Sequence, residues 1–302
     1  VLAMKIGVIM GGTSSEREVS LKSGEQVILN LNKEKYEKIV PIIINSKNEV
    51  VEKIKGIDFA FLALHGKFGE DGSIQGLLES IGIPYSGCSI LPSAICMNKG
   101  LTKRIVKTVG IDTAKWLVVK KIDEIDYKKI KELQYPVFIK PNNGGSSIAT
   151  FLVKNESEVE VAVREGLKYD AEVIIEEYIK GEEITSFVLN RDVFPTVRIK
   201  SKKSEFFDYS SKYEESGAEE EVVLLEAKLQ EKINSISKKV WDVLGCNGYI
   251  RIDMILSNGV PYLLEVNTLP GMTKQSLIPK SAKVLGLEFS ELLDKMIKCS
   301  LF

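Results

Sequence analysis

The chain has one histidine, two tryptophans and four cysteines in 302 residues, and no excess of charge of either sign. Each scarcity removes a class of protein. With 41 basic and 42 acidic residues the formal net charge is −1, so no global positive field draws it to nucleic acid or to an anionic membrane. Cys88, Cys96, Cys246 and Cys299 form no C-x-x-C pair, and four cysteines in so long a chain make no disulfide framework. Free thiols in a reducing cytoplasm are expected. No apolar run approaches the roughly 20 residues of a membrane helix, and no signal-peptide pattern opens the sequence. Neither the G-x-x-x-x-G-K-[ST] phosphate loop nor the G-x-G-x-x-G dinucleotide fingerprint is present. The Gly11-Gly12 turn lacks that spacing, and Ile44 is followed by Asn45-Ser46-Lys47 rather than by an acid for a ribose, which disfavours a nicotinamide oxidoreductase.

What remains is an ordinary globular composition, 44% hydrophobic and 27% charged, in a chain too long for one core. Three domains are expected, at residues 1–87, 88–181 and 182–302. In the first, residues 4–10, 39–44 and 57–64 read as strands. Helices are expected from about Ser15, with Val19, Val27, Ile28 and Leu31 inward, and over 73–81. Alternation of this kind predicts an α/β unit with a parallel sheet. In the second, one helix over 93–109 precedes strands at 116–119, 137–140, 148–153 and 173–177, with helices near 127–133 and 156–167, which makes a small α+β unit. In the third, strands at 183–189 and 193–200 precede a polar stretch, 201–221, that reads as a long loop of the kind used as active-site lids. A helix near 226–244, a hairpin and helices over 275–299 complete the chain.

The hairpin carries the strongest chemical signal. Arg251-Ile-Asp253 and Glu265-Val-Asn267 lie in strand-forming runs around Ser257-Asn258-Gly259. A three-residue loop with Gly last sets Leu256 against Val260, Asp253 against Leu263 and Arg251 against Glu265. Asp253, Glu265 and Asn267 then share one face. A two-residue loop would turn Asp253 away, because a one-residue slip flips every side chain. Two carboxylates and a carboxamide oxygen suit magnesium, which commonly binds one or two carboxylates and fills its shell with phosphate and water oxygens.

Other segments fit phosphate chemistry less specifically. In Lys140-Pro141-Asn142-Asn143-Gly144-Gly145-Ser146-Ser147 the glycines let backbone N–H groups approach an anion, the serines add hydroxyl donors, and Lys140 adds charge. Lys99 fits the same role from another segment. The apolar-then-acidic stretch from Ile174 to Glu183 suits an adenine edge and a ribose, or simply a strand ending in solvated acids. His65 stands in Leu64-His-Gly-Lys-Phe-Gly-Glu-Asp-Gly72, at the C-terminal end of an expected parallel strand, where open α/β sheets bind ligands.

Taken in order, Met10-Gly-Gly-Thr-Ser-Ser-Glu16-Arg-Glu-Val-Ser20, the His65 loop, Lys140-Pro141 to Ser146-Ser147, Asp208-Tyr209 to Lys212-Tyr213, Arg251-Ile-Asp253 and Leu264-Glu265-Val-Asn267 to Pro270-Gly271-Met272 resemble the D-alanine–D-alanine ligases of the ATP-grasp superfamily. The resemblance covers essentially the whole chain. It implies an ATP-grasp fold with a Rossmann-like N-terminal domain, a small central α+β domain and a C-terminal catalytic domain. It implies ATP bound by Lys99, Lys140, Ser147, Glu176, Ile179 (through its backbone), Glu183 and Lys212. Two magnesium or manganese ions would be held by Asp253, Glu265 and Asn267. Glu16, with Ser146 and Tyr213, would hold the first D-alanine's ammonium, and His65 its carboxylate. Arg251 and the Gly271 N–H would stabilise the oxyanion, and Ser276 and Leu277 would bind the second carboxylate. A cytoplasmic homodimer serving peptidoglycan precursor synthesis is implied as well.

Departures from the family's pattern are small. Asn142-Asn143-Gly144 replaces a more charged form, and Lys274-Gln275 stands where relatives differ. The Lys212-Tyr213 pair favours an amine as second substrate. The alternatives are a ligase of the same fold acting on D-lactate or D-serine, and a nucleotide-binding regulatory module without turnover. The presence of Arg251 and Asp253 disfavours the module.

Overall fold

The computed structural model of the protein describes residues 2–201, 218–222, 225–273 and 276–301. Three sheets follow one another along the chain. The first is parallel, with β1 (Leu2–Gly11) between β2 (Tyr36–Ile44) and β3 (Phe59–Leu62). Helix α1 (Arg17–Asn30) packs on β1 through Ser20, Ser23, Gly24 and Val27. The inward face is smaller than the apolar pattern suggested: Val27 and Leu31 are buried, while Val19 and Ile28 are only partly so. Gly24 explains the difference. A Cβ there would lie 2.6 Å from the Met10 sulfur, so its absence lets the helix close on the strand. Helices α2 (Val50–Lys53) and α3 (Ser73–Ser80) complete this part.

The second sheet is antiparallel, in the order β4 (Trp116–Val119), β7 (Val173–Glu177), β5 (Val137–Pro141), β6 (Phe151–Val153). It is reached through α4 (Ile90–Met97) and α5 (Lys99–Thr108), where one helix was expected. Asn98 makes the break. Its backbone is extended (φ −88°, ψ 98°) and its side chain accepts from the Leu101 N–H at 2.8 Å, capping α5 and placing Lys99 in the new first turn. With α6 (Tyr127–Leu133) and α7 (Val159–Gly166) the sheet encloses its own core, including Ile130, Val137, Ile139, Val163 and Ile175.

The third sheet runs β11 (Ala218–Val222), β10 (Val197–Ser201), β8 (Glu182–Leu189), β12 (Tyr249–Ser257), β13 (Val260–Asn267), with β9 (Asp192–Val193) also on β8. Residues 218–221 were expected to be loop; the strand Ala218–Val222 pairs with β10. Helix α8 (Ala227–Leu244) covers this sheet. The last two helices, α9 (Leu277–Val284) and α10 (Phe289–Cys299), pack on the first sheet as well as the third. Ile6, Phe59 and Phe61 share one apolar cluster with Phe187, Tyr249 and Met296. Asp294 of α10 accepts from the Tyr36 hydroxyl at 2.6 Å and pairs with Lys35, tying the two ends of the chain together.

The β12–β13 hairpin corrects the expected register twice. Ser257 pairs with Val260, so the loop is the two residues Asn258 and Gly259, both left-handed (φ 49° and 76°) as a type I′ turn requires. Alone, this turn would send Asp253 to the other face. A bulge between the pairs Met254–Leu263 and Asp253–Glu265 restores it by leaving Leu264 as an extra residue. Beyond the bulge Asp253 faces Glu265 and Arg251 faces Asn267.

Candidate active site

Between the second and third sheets lies a cavity of about 520 Å³. Of the residues named from sequence, Lys99, Lys140, Ser147, Glu176, Ile179, Glu183, Asp253 and Glu265 line it. Asn267 lies at a small adjoining recess with Lys99, Glu265 and Glu70. Each wall has a local origin. Lys140 and Glu176 sit on the neighbouring strands β5 and β7, Lys99 opens α5, and the hairpin brings the acids. Asn142, 1% exposed, joins these parts. It accepts from the Gly100 N–H at 2.9 Å, donates to Glu172 at 2.7 Å, and its carbonyl takes the Lys99 N–H at 3.1 Å.

The lysines are committed by geometry. Lys99 Nζ lies 3.2 Å from Glu265 Oε2 and donates to the Gly144 carbonyl. Lys140 Nζ lies 2.6 Å from Glu176 Oε2, while Lys103 Nζ holds Oε1 at 2.8 Å. Burial would raise the Glu176 carboxyl, but the two lysines outweigh it and hold it down at about 2. Burial also works against the Lys140 ammonium, yet the surrounding acids, Glu176 first, raise it. Glu176 is therefore a buried anion between two cations. Arg198 adds a third cationic side chain to the wall and pairs with Glu182 at 3.0 Å.

On the hairpin Arg251 grips Asp253 with both arms of its guanidinium, Nε at 2.9 Å and Nη2 at 2.7 Å. The Thr185 hydroxyl at 2.5 Å and the Asn267 amide at 2.9 Å complete the shell around Asp253. Two facing carboxylates and a carboxamide form a hard oxygen donor set. Among the described residues no cluster of three or more His, Cys, Asp or Glu converges as a metal site by itself. Two carboxylates and a carboxamide suit magnesium, which takes its remaining ligands from phosphate and water.

The glycine-rich loop has two faces. Gly144, Gly145 and Ser147 line the cavity, whereas Ser146 turns away and donates its hydroxyl to Glu16. Ser146, Ser147 and Ala149 are all left-handed (φ 53°, 57° and 52°), a strained run that holds the two hydroxyls on opposite sides. Gly66 and Gly145 press on Glu16; a Cβ on either would come within 2.6 or 2.8 Å of Glu16 Oε2. Asp170 anchors the loop from outside by accepting both Asn143 nitrogens, at 2.7 and 2.9 Å.

Beside Glu16 stands Glu70, which accepts N–H groups from Gly66 at 2.8 Å and Leu269 at 3.3 Å. Burial, then the charge of Glu16, pushes the Glu70 carboxyl well above the usual carboxylate range. Near pH 7 Glu70 therefore keeps its proton unless a cation lies beside the two acids. His65 is buried at 7% exposure, not solvated, with Nε2 3.1 Å from the Ser23 hydroxyl. Burial first, and then the charge of Arg251, depress its imidazole to about 4, against an opposing backbone hydrogen bond at Leu269. The ring is therefore neutral near pH 7.

This depression makes a clean prediction, because His65 is the only histidine. In untagged protein the imidazole proton resonances should titrate near 4. Between 6.5 and 4 the unfolded chain takes a proton at His65 that the folded chain refuses, so the His65 share of stability falls as pH drops through that window, by up to about 3 kcal/mol, against an opposite share from Glu70. The difference between wild type and His65→Gln should show that share. A titration near 6.5 in the folded protein would refute the burial account.

Gly271 and Ser276 are neighbours, since a Cβ on Gly271 would lie 3.6 Å from Ser276 Oγ. Ser276 precedes α9, its hydroxyl is 2.7 Å from that of Thr273, and Leu277 opens the helix. Lys212 and Tyr213 lie outside the described residues. Sequence reasoning missed Lys103, Asp170 and Thr185, which touch quoted residues from behind. It quoted Glu70 in the His65 motif and Asn142 in the glycine-rich loop without giving either a role.

The family described as D-ala D-ala ligase N-terminus matches residues 5–55 and 45–88, and its counterpart, D-ala D-ala ligase C-terminus, matches 105–298. A D-alanine–D-alanine ligase of Clostridium beijerinckii is 56% identical over 299 residues, covering 99% of each chain. Among solved structures, the ligase of that name from Bacillus anthracis complexed with ATP superposes with a TM-score of 0.88 at 44% identity, over 99% of this chain and 97% of that one. The VanG D-Ala:D-Ser ligase of Enterococcus faecalis superposes with 0.86 at 34% identity, over 99% and 100%.

Proposed function

The chain belongs to the D-alanine–D-alanine ligase family, and on that footing we propose that it joins two D-alanines into D-alanyl-D-alanine at the expense of ATP, for peptidoglycan precursor synthesis. The observation that carries the reading is the two-faced loop: Ser147 on the cavity side and Ser146 on Glu16 couple a phosphate site to an ammonium site across one residue. Relatives named for D-alanine as both substrates reach 56% identity, above the 34% of the D-Ala:D-Ser ligase, which favours D-alanine in the second position over D-serine.

ATP occupies the cavity in this reading, with its phosphates toward Lys99, Lys140 and the glycine-rich loop, and its base toward Ile179. Asp253, Glu265 and Asn267 would hold magnesium or manganese ions, which would supply charge neutralisation for the transferring phosphoryl group. Glu16 and Glu70 receive the first D-alanine's ammonium, and Ser146 fixes Glu16. Neutral His65, its ring nitrogens held by Ser23 and the Leu269 backbone, stands by that substrate's carboxylate without adding charge. The carboxylate attacks the γ-phosphate, giving D-alanyl phosphate and ADP. The second D-alanine's amine then attacks the carbonyl and phosphate leaves. Arg251 and the Gly271 N–H face the oxyanion of that step, and Ser276 with the opening N–H of α9 receives the second carboxylate. Lys212 and Tyr213 complete the nucleotide and ammonium sites. The same reading makes the enzyme a cytoplasmic homodimer of three domains, at 1–87, 88–181 and 182–302.

ADP release tests the reading, with D-alanine, L-alanine, D-serine and D-lactate each offered. D-Alanine alone should stimulate strongly, and D-lactate or D-serine should not replace it as acceptor. No stimulation by D-alanine would reject the assignment.

A further inference from the structure

We propose that Lys103 is a positioning residue for the nucleotide: its hidden ammonium takes up the charge of Glu176, so that Lys140 keeps a net positive charge toward the phosphates. This rests on the reading that the cavity binds ATP. Lys103 lies one helical turn after Lys99 on α5 and has no solvent exposure. Its Nζ stands 2.8 Å from Glu176 Oε1 and donates to the Thr113 hydroxyl at 2.6 Å. Thr113 in turn donates to the Leu263 carbonyl at 2.7 Å, and the Trp116 ring centre lies 5.8 Å from the ammonium. Glu176 meets Lys140 on its other oxygen, at 2.6 Å. Lys140 and Glu176 line the cavity and Lys103 stands behind them.

The charges show what Lys103 adds. Lys140 and Glu176 alone sum to zero, and a neutral pair has little attraction for a triphosphate. With Lys103 protonated the set carries one net positive charge; burial lowers the Lys103 ammonium, and the adjacent Glu176 carboxylate opposes that. A buried lysine is costly to desolvate, and an apolar side chain of its size would commonly be as stable or more so. A stability role therefore does not account for it, whereas a charge role does. Through Thr113 the same ammonium also ties β13 to α5. One helix thus serves both halves of the site, with Lys99 on Glu265 and Lys103 on Glu176.

The test is the affinity for Mg-bound non-hydrolysable ATP analogue and for adenosine, by calorimetry, in wild type, Lys103→Met, and Lys103→Met/Glu176→Gln. Lys103→Gln serves in place of the methionine variant where that does not fold. The single variant should bind the analogue at least about tenfold more weakly, because Glu176 now neutralises Lys140. Its adenosine affinity and its KM for D-alanine should stay within about twofold of wild type. In the double variant the ratio of analogue to adenosine affinity should recover most of its loss, because removing the carboxylate frees Lys140 again, and the ratio cancels whatever Glu176 itself gives the nucleoside. Unchanged analogue affinity in the single variant, or no recovery in the double, would overturn the proposal. A wild-type protein that binds no analogue would overturn the nucleotide reading instead.

Discussion

Glu265→Gln is expected to lower kcat about a thousandfold while leaving the fold intact. Glu265 faces Asp253 across the hairpin and Lys99 across the cavity, so its negative charge fixes a lysine as well as the proposed metal-binding corner. Lewis-acid stabilisation by a bound metal is worth several kcal/mol, and each 1.36 kcal/mol is a factor of ten, so losing about 4 kcal/mol corresponds to about 10³ in rate. The amide keeps the size of the side chain and removes only the charge. The melting temperature should therefore move little, while the magnesium needed for half-maximal rate rises. Near-wild-type turnover at limiting magnesium would remove Glu265 from the metal site.

Arg251→Met should lower kcat by about 10²–10³, the usual loss for one oxyanion donor. Extra magnesium should not rescue it, which separates this variant from Glu265→Gln. Arg251 holds both oxygens of Asp253, so its guanidinium is fixed before substrate arrives and costs no reorganisation during the reaction. Arg251→Lys keeps the charge but loses the fork, and should recover only part of the rate. Steady-state kinetics with nucleotide binding measured alongside would show whether the loss is chemical. A weaker nucleotide affinity that accounts for the whole loss would assign Arg251 to binding instead.

The hairpin shows how far a single sequence carries such a site. The residue types and their placement on one face were legible, because acids in a strand pair are conspicuous. The path to that face was not. Asn258-Gly259 is the usual signature of a two-residue type I′ turn, and that turn was open to a sequence reader. The bulge at Leu264 leaves no such mark, since an extra residue in an apolar run breaks no pattern. Two one-residue shifts cancel, so the three-residue loop predicted the right face from the wrong register.

Lys103 was illegible for a different reason. Lysine on an amphipathic helix reads as solvent-facing, and its partner Glu176 lies far along the chain on another element. His65 drew attention as a loop residue, yet Ser23 of α1 closes over it, a contact that no local window contains. The break at Asn98 carried a signal in hindsight, because asparagine is a preferred N-cap, but the apolar spacing runs through it. The small inward face of α1 likewise answers to Met10 across the interface rather than to any pattern within the helix.

The central claim is that the first D-alanine is activated as its acyl phosphate. Turnover with D-alanine carrying oxygen-18 in both carboxylate positions tests it directly, with mass analysis of the phosphate released. If the carboxylate attacks ATP, one labelled oxygen becomes the bridge to phosphorus and leaves with it. The account predicts one oxygen-18 in each phosphate, released in step with D-alanyl-D-alanine. Unlabelled phosphate alongside that product would contradict it.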